Sequence, residues 1–209
     1  MLRCTRQCSP GRKIFMQNSI LDDSRHSAAG SNEVLQRAAR VKMLLMDVDG
    51  VLTDGTLWNV PGPDGKMVET KGFDSQDGIA LQWLSHFGIV KGVISGRISP
   101  ATDERARQTK MTYVYQGNTE KIPLLQEIFQ KSGIAPEDTC FVGDDLTDVV
   151  CFRRVGFAVA TANAREDVKR FAHHVTAARG GNGAVREAIE FILKAQGRWD
   201  EILRKYEAL

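Results

Sequence analysis

The sequence predicts an α/β fold in which a doubly wound parallel sheet carries helices on both faces. Short apolar runs alternate with segments of helical periodicity along most of the 209 residues. Several of these runs are followed at once by glycine and polar residues, as at the carboxyl ends of buried parallel strands. Open α/β sheets bind their ligands at that edge, so the functional site is predicted there.

The length of 209 residues and the composition indicate one domain, or one domain with tails at its ends. The chain has 42% hydrophobic and 26% charged residues, and its formal net charge of +2 is too small to indicate a nucleic-acid partner. No apolar run approaches the roughly 18 residues of a membrane span. Four cysteines form no CxxC pair, and Cys140 and Cys151 lie in apolar contexts. A reducing compartment, the cytoplasm, is therefore expected.

The two ends are predicted to lie outside the folded domain. Residues 1–31 are rich in Arg, Ser, Gly and Asn and lack the apolar segment of a secretory signal, so we expect a disordered tail. An organelle transit peptide and a translation start at Met16 both remain open. Asn32 is a candidate N-cap for a helix over 33–40. The domain is expected to span 32–195, and a charged tail 196–209.

The first apolar run, residues 41–46, is a predicted buried strand that ends on two carboxylates. Asp47 and Asp49 are two positions apart, so on a strand their side chains point the same way and address one site. Asp-Gly turn chemistry is the ordinary alternative for Asp49. Repulsion between two adjacent carboxylates is commonly relieved by a divalent cation, which indicates a metal site.

A β-hairpin flap is predicted over residues 55–72. Two β-prone arms, 56–60 and 66–70, flank the turn sequence Pro-Gly-Pro-Asp-Gly. The hairpin interrupts the βα alternation, so it should project from the sheet, where Trp58 and Met67 suggest a protein partner.

The rest of the chain continues the alternation. It predicts helices at 79–87, 100–108, 119–131, 149–155, 164–171 and 184–193, and strands at 89–94, 113–115, 139–142, 156–160 and 174–175.

Polar side chains that could bind a ligand or take part in catalysis lie just after four predicted strands. They are Asp47 and Asp49, Ser95, Lys121, and Asp144, Asp145 and Asp148. Each has an ordinary interpretation. The serine could cap a helix, the lysine could be solvated, and the later aspartates could stabilise a helix N-terminus. Their occurrence together at one sheet edge favours a shared site.

These motifs resemble those of haloacid dehalogenase-type phosphatases, and more closely those of 3-deoxy-D-manno-octulosonate 8-phosphate (KDO 8-phosphate) phosphatases. The matching segments are Asp-Val-Asp-Gly-Val-Leu-Thr at 47–53, Ile-Ser-Gly-Arg at 94–97, Lys121 and Gly-Asp-Asp-Leu-Thr-Asp at 143–148. Further matches lie at 54–55, 72–73, 77–78, 115–117, 135–137 and 183–187. The resemblance covers about residues 33–197.

The resemblance implies a Mg²⁺-dependent phosphomonoesterase that converts KDO 8-phosphate to KDO and phosphate through an aspartyl phosphate, in lipopolysaccharide precursor synthesis. It implies Asp47 as nucleophile, and Asp49 as general acid and then base. Ser95 and Lys121 would hold the phosphoryl oxygens.

The same resemblance implies the metal ligands. Mg²⁺ would be bound by Asp47, Asp144 and the main-chain carbonyl of Asp49. Asp145 and Asp148 would orient metal-bound water and Lys121.

Substrate recognition is where this chain departs from the family pattern. The candidate substrate-binding residues are Asp49, Asp74, Ser75, Gln76, Asp77, Gly78, Gln82, Arg97, Arg105 and Lys121. Family members commonly carry arginines where this chain has Gln76 and Gln82, so a weaker grip on the substrate carboxylate is expected. A phosphatase for a nine-carbon sialic-type acid 9-phosphate stays open as an alternative.

Assembly and competing classes complete the prediction. Residues 50–74 have room for a hairpin but not for the inserted cap domain that superfamily members usually carry. The resemblance implies a homotetramer in which hairpins and C-terminal segments cover a neighbour's site. A phosphoacceptor receiver domain lacks the second carboxylate that Asp49 supplies, and a non-catalytic assembly domain is disfavoured by the complete set of catalytic positions.

Overall fold

The computed structural model describes residues 26–209 and confirms the predicted sheet. The strands are β1 Met43–Met46, β2 Trp58–Pro61, β3 Met67–Thr70, β4 Val90–Ile94, β5 Tyr113–Tyr115, β6 Thr139–Gly143, β7 Phe157–Ala160 and β8 His174–Val175. Six of them form one parallel sheet in the order β5-β4-β1-β6-β7-β8. The order reverses at β1, which makes the sheet doubly wound.

Helices pack on both faces of this sheet. They are α1 His26–Ala39, α2 Ser75–His86, α3 Pro100–Gln108, α4 Lys121–Ser132, α5 Val149–Phe152, α6 Glu166–Lys169, α7 Ala184–Ala195 and α8 Trp199–Lys205. Successive side chains of a strand point to opposite faces. Leu44 and Met46 accordingly pack with α1, α2, α7 and α8, whereas Met43 and Leu45 pack with α4, α5 and α6.

Strand β1 lies at the centre of the sheet and is completely buried. It pairs in parallel with β4 on one side and β6 on the other. The ladder extends one residue further, because the Asp47 amide donates to the Val142 carbonyl at 3.0 Å. The carboxyl ends of β1, β4 and β6 therefore lie side by side.

The predicted hairpin is present between β1 and α2. Strands β2 and β3 pair antiparallel as a separate two-stranded sheet. Trp58 and Met67 are 58% and 60% exposed on it. Within the described residues this segment contains no cap domain.

The N-terminal boundary differs from the prediction. Helix α1 begins at His26, so Asn32 lies inside the helix rather than capping it. The predicted disordered tail spans residues 1–31. Residues 1–25 lie outside the described residues, and residues 26–31 belong to α1.

The predicted C-terminal tail is also corrected, because residues 199–205 form helix α8. The Trp199 ring packs edge-on against Trp83 with their centroids 5.6 Å apart, and Ile202 is buried. The Trp83 indole donates to the Tyr206 hydroxyl at 3.2 Å. These apolar side chains, spaced among charged residues, fold the segment back onto α2.

Two short helices end earlier than predicted: α5 and α6 each span four residues. In the part of the chain that the structure describes, no helix has the length and hydropathy to cross a membrane.

Candidate active site

The site is built around Asp47, directly after buried strand β1. Its Oδ1 accepts a hydrogen bond from the Val48 amide at 2.7 Å, and its Oδ2 lies 3.1 Å from Lys121 Nζ. Lys121 is the first residue of α4 and only 2% exposed. The central strand and the start of α4 thus place a carboxylate and an ammonium in contact.

Asp148 fixes both the lysine and the loop after β6. Its Oδ1 accepts from Lys121 Nζ at 2.6 Å. Its Oδ2 accepts from the backbone amides of Asp144 and Asp145 at 2.8 and 3.2 Å. Asp148 is fully buried, and both its oxygens accept hydrogen bonds from within the fold.

Crowded carboxylates dominate the electrostatics. Asp47, Asp144 and Asp148 bring carboxylate oxygens within 4.8 Å of one another. Burial, together with the neighbouring Asp148 charge, raises the pKa of Asp47 to about 6. Burial and the charges of Asp148, Asp47 and Asp145 raise the pKa of Asp144 to about 7. A hard divalent cation would relieve this repulsion, and a set of oxygen donors is the kind that Mg²⁺ prefers.

Lys121 remains charged in this setting. Burial alone would lower the pKa of its ammonium, but the adjacent Asp148 and Asp47 carboxylates outweigh burial and raise it. A charged ammonium therefore lies beside the Asp47 carboxylate.

Two glycines, Gly50 and Gly180, allow other segments to approach the loop that follows Asp47 closely. The φ of Gly50 is +81°, and a Cβ there would lie 2.0 Å from Asp144 Oδ2. The Gly50 carbonyl accepts from Asn163 Nδ2 at 2.9 Å and from Thr161 Oγ1 at 3.3 Å. A Cβ on Gly180 would lie 1.9 Å from the same carbonyl. Glycine at position 50 is therefore required by the turn and by the approach of Asp144, and glycine at position 180 by its approach to the Gly50 carbonyl.

These side chains surround an open cavity of about 440 Å³. Its lining consists of Asp47, Asp49, Gly50, Asp54, Gly55, Gly96, Arg97, Thr119, Lys121, Asp144, Asp145, Thr147, Asn163 and Arg179. Predicted residues from the ends of β1, β4 and β6 thus meet at one edge. Ser95 lies buried behind this lining, and its Oγ accepts from the Arg97 amide at 3.2 Å.

The prediction of site residues missed Asn163 and Arg179. Both follow short strands at the same sheet edge, which was the available signal. Asn163 Oδ1 accepts from the Gly180 amide at 2.6 Å, so it also links the loop after β7 to the glycine-rich turn before α7.

Comparison with known proteins identifies the family. A family model for haloacid dehalogenase-like hydrolases matches residues 99–189. The chain is 36% identical over 171 residues to 3-deoxy-D-manno-octulosonate 8-phosphate phosphatase KdsC of Escherichia coli K12, covering 82% of this chain and 89% of that protein. The chain belongs to the KDO 8-phosphate phosphatase family.

Solved structures support the same family. The KDO 8-phosphate phosphatase of Moraxella catarrhalis, in complex with magnesium, phosphate and KDO, is 38% identical with a TM-score of 0.78, covering 84% of this chain and 98% of that one. The cobalt-bound enzyme of Haemophilus influenzae is 34% identical with a TM-score of 0.73, covering 78% and 94%.

The residues predicted to bind substrate in this KDO 8-phosphate phosphatase family member divide into three groups. Asp49, Arg97 and Lys121 line the cavity. Asp74 lies in a smaller cleft of about 270 Å³ that shares Asp54 with it. For the remaining six, direct contact with substrate stays a prediction: within this one chain, the linings of the cavity and the cleft do not include Ser75, Gln76, Asp77, Gly78, Gln82 and Arg105.

Asp77 and Arg105 instead make contacts within the fold. Asp77 is fully buried and accepts from the Arg186 amide at 2.7 Å, which ties α2 to α7. Arg105 Nη2 donates to the Asp74 carbonyl, and the guanidinium lies 5.5 Å from the Phe73 ring centroid. Binding of the substrate carboxylate by Arg105 therefore stays a prediction.

The flap reaches the site through charged side chains. Arg97 Nη1 donates to Glu69 Oε2 at 3.2 Å. Lys71 Nζ lies 3.0 Å from Glu69 Oε1 and also donates to Asp49 Oδ1. Family resemblance had pointed to Arg97 and Asp49 but not to Lys71 or Glu69.

Proposed function

We propose that this protein hydrolyses KDO 8-phosphate to KDO and inorganic phosphate, with Mg²⁺ bound by Asp47, Asp144 and the main-chain carbonyl of Asp49. The observation that carries the proposal is the contact of Asp47 with buried Lys121, at the edge where Asp144 converges. Membership of the family whose Moraxella catarrhalis relative binds magnesium, phosphate and KDO supports it.

Asp47 is the nucleophile in this reaction. Its Oδ2 attacks phosphorus while Lys121, 3.1 Å away, holds charge on the phosphoryl oxygens. Ser95 supplies a hydroxyl donor from the end of β4. When bound, Mg²⁺ supplies positive charge that offsets the repulsion between carboxylate and phosphate.

Asp49 is the general acid and then the general base. Because it lines the cavity two residues after the nucleophile, it can donate a proton to the departing sugar oxygen. It can then take a proton from the water that cleaves the aspartyl phosphate. Asp145 lines the same cavity, where its carboxylate would orient water beside a bound Mg²⁺.

The substrate assignment is tested by a panel of phosphate esters, assayed with and without Mg²⁺. We expect KDO 8-phosphate to be hydrolysed best. Its KM should be higher than in family members that carry arginines at the positions of Gln76 and Gln82, because these two side chains are neutral. A nine-carbon sialic-type acid 9-phosphate is the second candidate. Clear preference for a neutral sugar phosphate would overturn the sugar-acid assignment, and activity that persists after chelation would overturn the metal assignment.

We also infer a homotetramer in which flaps meet, because Trp58 and Met67 leave an apolar surface uncovered within one chain. We place the enzyme in the cytoplasm, since the buried Cys140 and Cys151 are free thiols, as expected in a reducing compartment.

A further inference from the structure

Lys71 is an unusual residue for a hairpin that is otherwise largely exposed. It follows β3 directly, and its side chain is only 2% exposed. Burying an ammonium is costly unless anionic partners compensate it. The groups around Lys71 must therefore compensate the cost of burying its charge.

Those groups are one carboxylate of the site and one of the flap. Lys71 Nζ donates to Asp49 Oδ1 and lies 3.0 Å from Glu69 Oε1. Glu69 in turn pairs with Arg97 through its other oxygen at 3.2 Å. The Lys71 and Arg97 cations lower the pKa of Glu69, so Glu69 stays ionised and keeps Lys71 in place.

We propose that Lys71 is a positioning residue for Asp49, and that Glu69 holds Lys71 against it. The inference rests on the proposed function, in which Asp49 transfers the proton. Among the described side chains, Lys71 is the one that hydrogen-bonds the Asp49 carboxylate. It occupies Oδ1 and leaves Oδ2 as the oxygen that can carry the proton.

The ordered carboxyl acts in both half-reactions. As the Asp47 oxygen bonds to phosphorus, the bond from phosphorus to the sugar oxygen breaks and Asp49 Oδ2 gives its proton to that oxygen. Water then attacks phosphorus of the aspartyl phosphate and gives a proton to Asp49, the bond from phosphorus to the Asp47 oxygen breaks, and phosphate leaves while the Asp47 carboxylate is restored. Without Lys71 the Asp49 side chain is free to rotate, and fewer of its orientations place Oδ2 at the reacting oxygen.

The test uses Lys71→Met, which keeps the length of the side chain and removes its charge. With Mg²⁺ and KDO 8-phosphate, kcat should fall at least about tenfold while KM changes less than about twofold, because proton transfer is worth on the order of 10²-fold or more. With p-nitrophenyl phosphate, the burst of nitrophenolate should keep its rate, since that leaving group needs no proton. The steady-state rate after the burst should fall.

Three companions complete the design. Lys71→Arg should recover part of kcat, because a guanidinium can reach both carboxylates. Lys66→Met is the matched control, an 85% exposed lysine of the same flap, and should behave as the wild type. Lys71→Gln replaces Lys71→Met if the latter fails to fold, as judged by circular dichroism.

Distinct outcomes would overturn the inference. A raised KM for KDO 8-phosphate with unchanged kcat would make Lys71 a substrate ligand instead. Equal losses in the sugar-phosphate rate and in the nitrophenolate burst would indicate a structural role only. A wild-type protein inactive on every phosphate ester would overturn the proposed function itself, and the inference with it.

Discussion

At the scale of single residues, the site depends on a few charges whose neighbours are fixed. Lys121 contacts both Asp47 and Asp148. Asp148 also accepts hydrogen bonds from the backbone amides of Asp144 and Asp145, which fixes the position of Asp144 in the site. The Asp47 carboxylate is therefore oriented by groups that are themselves buried and paired.

Asp47→Asn removes the nucleophilic charge and keeps the shape of the side chain. We expect turnover to fall by at least about 10³-fold, because an amide oxygen does not form the covalent intermediate. Circular dichroism should show an unchanged fold. Asp64→Asn, at an exposed position of the flap turn, is the control. Most of the wild-type rate surviving in Asp47→Asn would refute the assignment.

Asp77 predicts a pH dependence of stability. Burial is the main cause that raises the pKa of its carboxyl from 3.8 to about 6. A raised pKa means that the stability contributed by the protonated form is present below pH 4 and is lost as pH rises through about 6. The free energy of unfolding should therefore fall, relative to Asp77→Asn, by up to about 3 kcal/mol across this window.

Urea unfolding of both proteins at several pH values measures this difference. The two curves should diverge between about pH 4 and pH 6 and run parallel above it. A constant difference from pH 3 to pH 8 would show that Asp77 titrates as in the unfolded chain.

At the scale of elements, helix α8 is the part of the fold that the sequence did not predict. Ile202 is 2% exposed on α8. Ile202→Ala should therefore lower the free energy of unfolding by about 2–5 kcal/mol, through lost burial and a cavity.

Thermal or urea unfolding measures this change, and Leu209→Ala, 67% exposed beyond the helix, is the control that should leave stability unaltered. If Ile202→Ala were equally harmless, the C-terminal segment would be the tail first predicted.

The elements that could be predicted share a local signal. Apolar runs such as that of β1 and the 3.6-residue period of α4 are visible in the sequence alone. Helix α8 has few apolar residues. Their burial depends on packing against Trp83 of α2, which is distant in the chain and therefore gives no local signal. The same holds within the site: Asp47, Lys121 and Asp144 follow strands, whereas Lys71 gains its role only because the hairpin folds back onto Asp49.

At the scale of the whole molecule, the flap carries both an exposed apolar surface and charged side chains that reach the cavity. It presents Leu57, Trp58, Val60, Met67 and Val68 as exposed apolar residues. Glu69 and Lys71 on the same segment pair with Arg97 and Asp49. Contacts between subunits at the flap would thus bear on the charges at the cavity.

Trp58→Asp should weaken the proposed tetramer, because it would bury a charge at an apolar contact. Light scattering should give a smaller particle than the wild type. Leu35→Asp, an equally drastic change at an exposed position of α1, should leave the mass unchanged. A wild-type protein that is a fully active monomer would contradict the assembly.

The carbonyl of Gly50 has a consequence for how the enzyme is made. Thr161 and Asn163 donate to that oxygen, and the Gly181 amide donates to Val51 at 3.0 Å. Synthesis on the ribosome delivers Asp47 early and these partners only near the end. A growing chain therefore carries the loop after β1 without its hydrogen bonds to Thr161, Asn163 and Gly181 until the last quarter of the chain has emerged. Premature termination before that point would leave a product that keeps the candidate site residues after four strands and lacks the hydrogen bonds that Thr161, Asn163 and Gly181 make to the loop after β1.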